Sequence, residues 1–135
     1  MPFREKSAWV MAAIILVSAV LYATLIGRLP DGVPPLPIVI AYVVVLTIMS
    51  VFGQVAIALF APRDAGAAAD ERDRRIADRA GSLSGTVLAV GVVLAMGTYL
   101  MGHPSSHMFH GALISLIVAQ LAEYGLQIWY YRRGI

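Results

Sequence analysis

The sequence has no cysteine and little charge. Without cysteine it can form no disulfide, no thiolate metal site and no thiol nucleophile. Charged residues make up 13% of the chain and hydrophobic residues 59%, whereas about a quarter of a typical soluble domain is charged. These proportions predict an integral membrane protein. No candidate nucleophile stands beside a base, so we expect neither enzymatic activity nor a cofactor.

Only one stretch carries sustained charge, the segment DERDRRIADRAG at residues 70–81. Five arginines are balanced by five acids between residues 62 and 80, and this balance argues against nucleic-acid binding. Asp70 followed by Asp73 resembles a helix N-cap with an acid in the first turn, and opposite charges such as Glu71 and Arg75 recur four residues apart. We therefore predict an unbroken helix from about Asp70 through Leu100.

Four apolar runs are long enough to cross a hydrocarbon layer of about 30 Å. They cover about residues 7–27, 38–61, 81–102 and 108–131. A proline-rich connection with an Asp31-Gly32 turn follows the first run, and a small-residue linker occupies residues 66–69. For the first run the alternative is a cleaved signal peptide, which its length and the lack of a small-x-small cleavage site disfavour.

The predicted fold class is therefore an all-α membrane protein. It would form a single domain over residues 1–135, with four transmembrane helices in one bundle and the third helix extended into the cytoplasm. Nine of the ten basic residues fall on one side of such a bundle, and only Arg28 falls on the other. The distribution predicts a multi-pass protein of the cell (inner) membrane, with both termini in the cytoplasm.

Two of the predicted spans carry polar side chains along one helical face. Those of the fourth span are Gln120, Glu123 and Gln127, and those of the second are Thr47, Ser50 and Gln54. Gln54 and Glu123 would both lie roughly 10–12 Å from the cytoplasmic ends of their helices, so we predict that they are neighbours.

Small residues mark the third span. A stripe formed by Ser84, Gly91, Ala95 and Thr98 is expected to face the polar residues of its neighbours. Gly81 and Gly85 add a small-xxx-small pattern, which is typical of close helix contact.

Glu123 has two interpretations. An ionised carboxylate inside a membrane is costly unless it is paired, so it faces a protein partner or water, or it holds a proton. In the first interpretation it is a packing residue that fixes a helix contact or a dimer interface. In the second it is a proton or cation site of a transporter, with Gln120 and Gln127 as auxiliary ligands. No Lys, Arg or His lies near it within the apolar runs.

Three histidines, His103, His107 and His110, occupy the predicted outer turn, with methionines beside them. Imidazole and thioether ligands would suit copper or zinc. The alternative is that they are ordinary polar residues at a membrane interface, and no cysteine or carboxylate completes a ligand set.

Two stretches, DERDRRIADRAGSLSG and LAEYGLQIWYYRRG, together resemble a family of small, uncharacterised four-helix membrane proteins of prokaryotes. The resemblance spans most of the chain. In that family an Asp-Glu-Arg motif precedes the third helix, and the last helix carries a glutamate and ends in Tyr-Arg-Arg-Gly. The matching positions are Asp70, Glu71, Arg72, Glu123, Tyr131, Arg132, Arg133 and Gly134. The resemblance implies a non-enzymatic protein, and because relatives are often found alongside helix-turn-helix regulators, it also implies a cytoplasmic regulatory partner.

The leading hypothesis is a membrane scaffold or regulatory protein, surrounded by lipid, that engages a cytoplasmic protein or forms a homodimer or higher oligomer. Its partner surface would consist of charged residues at the cytoplasmic end, namely Asp70, Glu71, Arg72, Arg75, Arg79, Arg132 and Arg133. The alternative is a proton- or cation-coupled transporter that works as an oligomer around Glu123. Small multidrug exporters, which are similar in size, carry their acid in the first helix, and this first span has none. A third hypothesis is metal binding at the histidine turn.

Overall fold

The computed structural model describes residues 3–30, 36–60 and 70–134, and it places four α-helices there. They are α1 (Phe3–Gly27), α2 (Leu36–Phe60), α3 (Glu71–Leu100) and α4 (Ser105–Arg133). The described residues contain no β-strand, so the all-α prediction is confirmed. The predicted Asp31-Gly32 turn and the linker at residues 66–69 lie outside the described residues.

All four helices are long and apolar enough to cross a membrane. They contain 25 to 30 residues each, which corresponds to lengths of about 37–45 Å. Large apolar side chains cover their outer faces; Phe52 is 70% exposed and Leu94 is 68% exposed. Such surfaces are suited to contact with lipid tails rather than with water.

The helices form two pairs, residues 1–68 and 69–135. In the first pair, α1 packs against α2 at both ends. Near one end the rings of Tyr22 and Tyr42 lie 5.0 Å apart, measured between their centroids. Near the middle of α1 a Cβ atom added at Gly53 would lie 2.7 Å from the Cδ1 atom of Ile14, and nearer the other end Ser7 contacts Gln54.

In the second pair, α3 and α4 approach even more closely. A Cβ atom added at Gly91 would lie 2.6 Å from the Cβ atom of Ser115, and one added at Gly111 would lie 2.9 Å from the Cβ atom of Ala95. Real Cβ atoms almost never come within 3.0 Å of another atom, so both glycines are needed for this spacing. Gly91 and Ala95 of the predicted small-residue stripe therefore contact α4.

The Gly81 and Gly85 pattern does not form such a contact. A Cβ atom added at either position would have no atom within 4 Å. The close approach of α4 to α3 falls elsewhere, because α4 presents its own small residues, Gly111 and Ser115, opposite a later part of α3. A small-xxx-small pattern permits close packing only where the facing helix is small as well.

The third helix begins where the charge pattern predicts. Asp70 has an extended backbone, and its side chain accepts a hydrogen bond from the backbone N–H of Arg72 at 3.0 Å. This N-cap satisfies one of the N–H groups that lack a partner inside the helix. From Glu71 the helix runs without a break to Leu100, which confirms the prediction of one continuous helix.

Candidate functional site

The two charged segments at the start of α3 and the end of α4 lie against each other. The Tyr131 hydroxyl donates to the Asp73 carboxylate at 2.8 Å, across 58 residues of sequence. The Arg72 guanidinium donates to the Tyr131 carbonyl at 3.4 Å. Tyr131 therefore connects α4 to the first turn of α3 through both its side chain and its backbone. We call this arrangement of Arg72, Asp73 and Tyr131 the tyrosine tie.

Apolar packing further along both helices supports the tyrosine tie. Ile76 and Ala80 of α3 and Tyr130 of α4 form a buried cluster, and Leu126 and Tyr131 pack against it. Ile76 and Ala80 are one helical turn apart, so they present one apolar stripe to α4 while the intervening charges point outward. The first turns of α3 are therefore part of a packed structure.

The charges on the other faces of α3 are exposed. Arg75 and Glu71 form an ion pair at 2.6 Å, although their side chains are 64% and 84% exposed. Such an exposed pair contributes about 0–1 kcal/mol, so it orients the two side chains more than it stabilises the helix. The four-residue spacing of opposite charges also predicts the pairs Asp70–Arg74 and Arg74–Asp78. Neither forms an ion pair within this described stretch, and Asp70 instead caps the helix.

Every residue of the predicted partner surface is exposed to solvent. The structure brings its two halves together, because the tyrosine tie places the end of α4 beside Arg72. At the last turn of α4, the Arg133 guanidinium lies 4.6 Å from the centre of the Trp129 ring. Gly134 then ends the helix in the left-handed conformation, with φ of 70°.

Glu123 lies half-buried between α3 and α4. One of its carboxylate oxygens accepts from the Ser84 hydroxyl and the other from the Gln127 amide, both at 3.4 Å. The Ser84 hydroxyl also lies 3.0 Å from the Gly81 carbonyl of its own helix, so its proton is shared between two acceptors. Of the other predicted members of this polar face, Gln120 lies exposed at the middle of α4. Glu123 thus has protein donors from both helices of its pair.

The polar residues of α2 make their contacts within the first pair. The Ser7 hydroxyl donates to the side-chain oxygen of Gln54 at 3.0 Å, and the Gln54 amide nitrogen lies 2.9 Å from the same hydroxyl. Thr47 donates to the carbonyl of Val43 in its own helix, at 2.8 Å, and Ser50 is half-buried. The expected contact between Gln54 and Glu123 stays a prediction.

The three histidines do not converge on one point. The rings of His103 and His107 lie 5.8 Å apart, and His103 Nδ1 lies 3.2 Å from the Thr98 carbonyl oxygen. His110 packs edge-on against Phe109, with their ring centres 5.7 Å apart. Within residues 3–30, 36–60 and 70–134, no group of three or more His, Cys, Asp or Glu is arranged to hold a metal ion. The geometry adds nothing to the metal hypothesis.

Sequence reasoning did not single out Ser7, which pairs with Gln54, or Glu5, which is buried in the first turn of α1. It identified Asp73 as an acid in the first turn of a helix, but not as the acceptor of the Tyr131 hydroxyl. An acid in the first turn of a helix normally signals only a favourable interaction with the helix dipole. Because the contacts of Ser7 and Asp73 join residues far apart in the chain, no local pattern pointed to them.

These observations define a class of protein. Four apolar helices of membrane-spanning length, with polar contacts between them and charged groups concentrated at helix ends, are the features of a multi-pass helical membrane protein. Residues 4–135 match the family described as "Predicted membrane protein (DUF2178)", and the chain belongs to that family. The resemblance to a family of small membrane proteins is therefore confirmed over nearly the whole chain. No curated protein matches the chain, and no solved structure matches it either.

Proposed function

We propose that this protein is a non-enzymatic membrane scaffold or regulatory protein. In this proposal the charged end of the α3–α4 pair binds a soluble cytoplasmic protein or a second copy of the chain. The observation that carries the proposal is the hydrogen bond from Tyr131 to Asp73, at 2.8 Å. It holds the charged turns of α3 in a defined position on α4, although a transmembrane helix needs no such extension in order to span the bilayer.

A fixed surface suits the binding of a partner. Groups that are already ordered lose little conformational entropy on association, so less of the interaction energy is spent on ordering them. Here the Asp70 cap, the tyrosine tie and the cluster around Ile76 order the first three turns of α3. The exposed side chains Glu71, Arg75 and Arg79 then form a patterned surface of both signs, which favours a specific protein partner over a uniformly charged polymer.

The cytoplasmic orientation rests on the distribution of basic residues. If each helix crosses the membrane once, both chain ends and the segment between α2 and α3 share one side. That side then carries nine of the ten basic residues, and Arg28 lies on the other. Because the chain has no cysteine, single cysteines introduced at Arg75 and Arg28 would report this orientation by labelling with a membrane-impermeant maleimide. We expect labelling of intact cells at position 28 only.

The partner proposal is tested by photo-cross-linking in living cells. A photoreactive residue replaces Arg75 or Arg79 in the full-length chain, and a matched control carries it in place of Leu94 on the exposed apolar face of α3. We expect a defined protein adduct from positions 75 and 79 and only lipid adducts from position 94. A product of twice the chain's mass would identify a second copy as the partner. Recovery of lipid alone from all three positions would refute the proposal.

A charge-reversal variant sharpens this test. Arg79→Glu is expected to lower the yield of the adduct formed from position 75, because it reverses a charge within the surface. Arg28→Glu, at the far end of α1, should leave the yield unchanged. An equal loss in both variants would point to an effect on expression or insertion rather than on a binding surface.

Glu123 acts as a packing residue in this proposal. One of its carboxylate oxygens accepts from Ser84 of α3, and this bond links the two helices of the pair, while the other accepts from Gln127 of its own helix. Polar links of this kind between membrane helices contribute about 0.6–2 kcal/mol. Its role would be to keep α3 and α4 together beneath the charged surface.

A further inference from the structure

We infer that Trp129 and Arg133 at the end of α4 bind the phosphate group of an anionic phospholipid. The two residues are one helical turn apart, and the Arg133 guanidinium carbon lies 4.6 Å from the centre of the Trp129 ring. Both are exposed, Trp129 to 43%. This site goes beyond the proposed protein-binding function, and it assigns to lipid an arginine that the sequence alone had placed on the partner surface.

A cation–π contact with the indole holds the guanidinium beside the Trp129 ring. An arginine held in this way can offer two of its N–H groups to one phosphate. Arg133 is exposed, so an external anion can reach its donors.

The position along α4 matches the level of lipid headgroups. Tryptophan is enriched at the boundary between hydrocarbon and headgroups, and Arg133 lies about 6 Å further along the helix axis. The last carbonyls of a helix carry partial negative charge, which would repel a phosphate. Here Arg72 donates to the Tyr131 carbonyl at 3.4 Å, so a cation from α3 offsets part of that charge beside the site.

The helix also leaves room for a lipid tail beside the indole. Gly125 is exposed one turn before Trp129, and a Cβ atom added there would have no atom within 4 Å. A phospholipid whose phosphate contacts Arg133 would extend its acyl chain along this open part of α4, beneath the Trp129 ring. The site thus accommodates both ends of a lipid molecule.

Fluorescence quenching by lipid tests this inference directly. The chain has two tryptophans, so Trp9→Phe leaves Trp129 as the only tryptophan. The full-length variant is reconstituted in phosphatidylcholine vesicles that contain brominated phosphatidylglycerol or, in parallel, brominated phosphatidylcholine. We expect quenching to report a preference of about fivefold for the anionic lipid, the size expected for one arginine near an anionic surface.

Two substitutions test whether Arg133 causes the preference for the anionic lipid. Arg133→Gln should bring it close to unity, whereas Arg74→Gln, which removes an exposed arginine of α3 outside the site, should preserve it. Equal quenching by the two lipids in the parent variant would overturn the inference, and so would an equal loss in both substitutions. Each variant must show the helical circular dichroism of the parent. Arg133→Lys is a milder second variant, because lysine keeps the charge but cannot contact one phosphate through two N–H groups of a planar guanidinium.

A free anion is distinguished from a lipid in the same vesicles. Sodium phosphate is added and compared with sodium chloride at equal ionic strength. For a lipid site the two salts reduce the preference equally, because they act only by screening. A specific loss with phosphate would assign the site to free inorganic phosphate and would overturn the lipid inference.

Discussion

Replacement of Gly91 by alanine should loosen the contact between α3 and α4. The added methyl group would lie 2.6 Å from the Ser115 Cβ atom and closer still to its hydroxyl oxygen. Carbon atoms in contact normally lie about 3.5–4.0 Å apart, so the helices would have to separate locally by about 1 Å. The same separation would weaken the neighbouring contact between Gly111 and Ala95.

The expected change in the free energy of unfolding follows from two opposing effects. Overpacking of this kind destabilises a folded structure by about 1–3 kcal/mol. Alanine is a better helix former than glycine by about 0.8–1 kcal/mol in water, and this gain in helix propensity offsets part of the destabilisation by overpacking. Gly85→Ala isolates the second effect, because a Cβ atom at Gly85 meets no atom within 4 Å on the same helix. The difference between the two variants should therefore be about 1–3 kcal/mol.

The measurement is equilibrium unfolding by sodium dodecyl sulfate in mixed micelles, followed by near-ultraviolet circular dichroism. Ser115→Gly in the Gly91→Ala background removes both side-chain atoms that clash, leaving the Cα atom at 3.4 Å. We expect the double variant to recover stability relative to Gly91→Ala, with a coupling of about 1 kcal/mol or more. If Gly91→Ala were as stable as Gly85→Ala, the close approach of the helices would not exist in the folded protein.

Substitutions at three further positions, Asp70, Tyr131 and Glu123, test the charged end and the intramembrane acid. Asp70→Ala should raise amide hydrogen exchange in the first turn of α3 and cost about 0.5–2 kcal/mol, while Asp70→Ser should restore protection. Tyr131→Phe should destabilise the α3–α4 pair by about 1 kcal/mol and increase exchange around Asp73, whereas Tyr99→Phe, at an exposed position, should do neither. Glu123→Gln should unfold nearly as the parent does, because its one amide oxygen can still accept the Ser84 hydroxyl, which is the bond between the helices, and Glu123→Leu should be less stable. A proton-driven flux in proteoliposomes that Glu123→Gln abolished would instead establish the transporter alternative.

The helices themselves were predictable because their signals are local. Apolar runs of spanning length, the Asp70 cap and the absence of proline after it each act within a few residues, and the helix from Glu71 to Leu100 follows from them. The place where α3 and α4 touch was not predictable in the same way. Gly81 and Gly91 are both glycines of the same helix, and only the position of Ser115 on the facing helix decides which of them is in contact.

In the candidate site, too, the features with local signals were predictable and those that depend on helix packing were not. The sequence identified the exposed charges of α3, because charge on a helix surface is visible from composition and spacing. The role of Tyr131 depends on its meeting Asp73 across 58 residues, which requires the register of two helices. Glu123 was recognisable as costly in a membrane, but that its donors are Ser84 and Gln127 follows from packing.

The tyrosine tie and the glycine contact together fix how α3 can move against α4. Asp73 and Gly91 are separated by about five helical turns, or about 27 Å along α3, and therefore lie on the same side of that helix. Sliding by one turn, or rolling about the helix axis, would break the Tyr131 hydrogen bond and move Gly91 away from Ser115 at once. We therefore expect α3 and α4 to move together as one rigid body. A displacement of the charged end would then be transmitted along both helices across the bilayer.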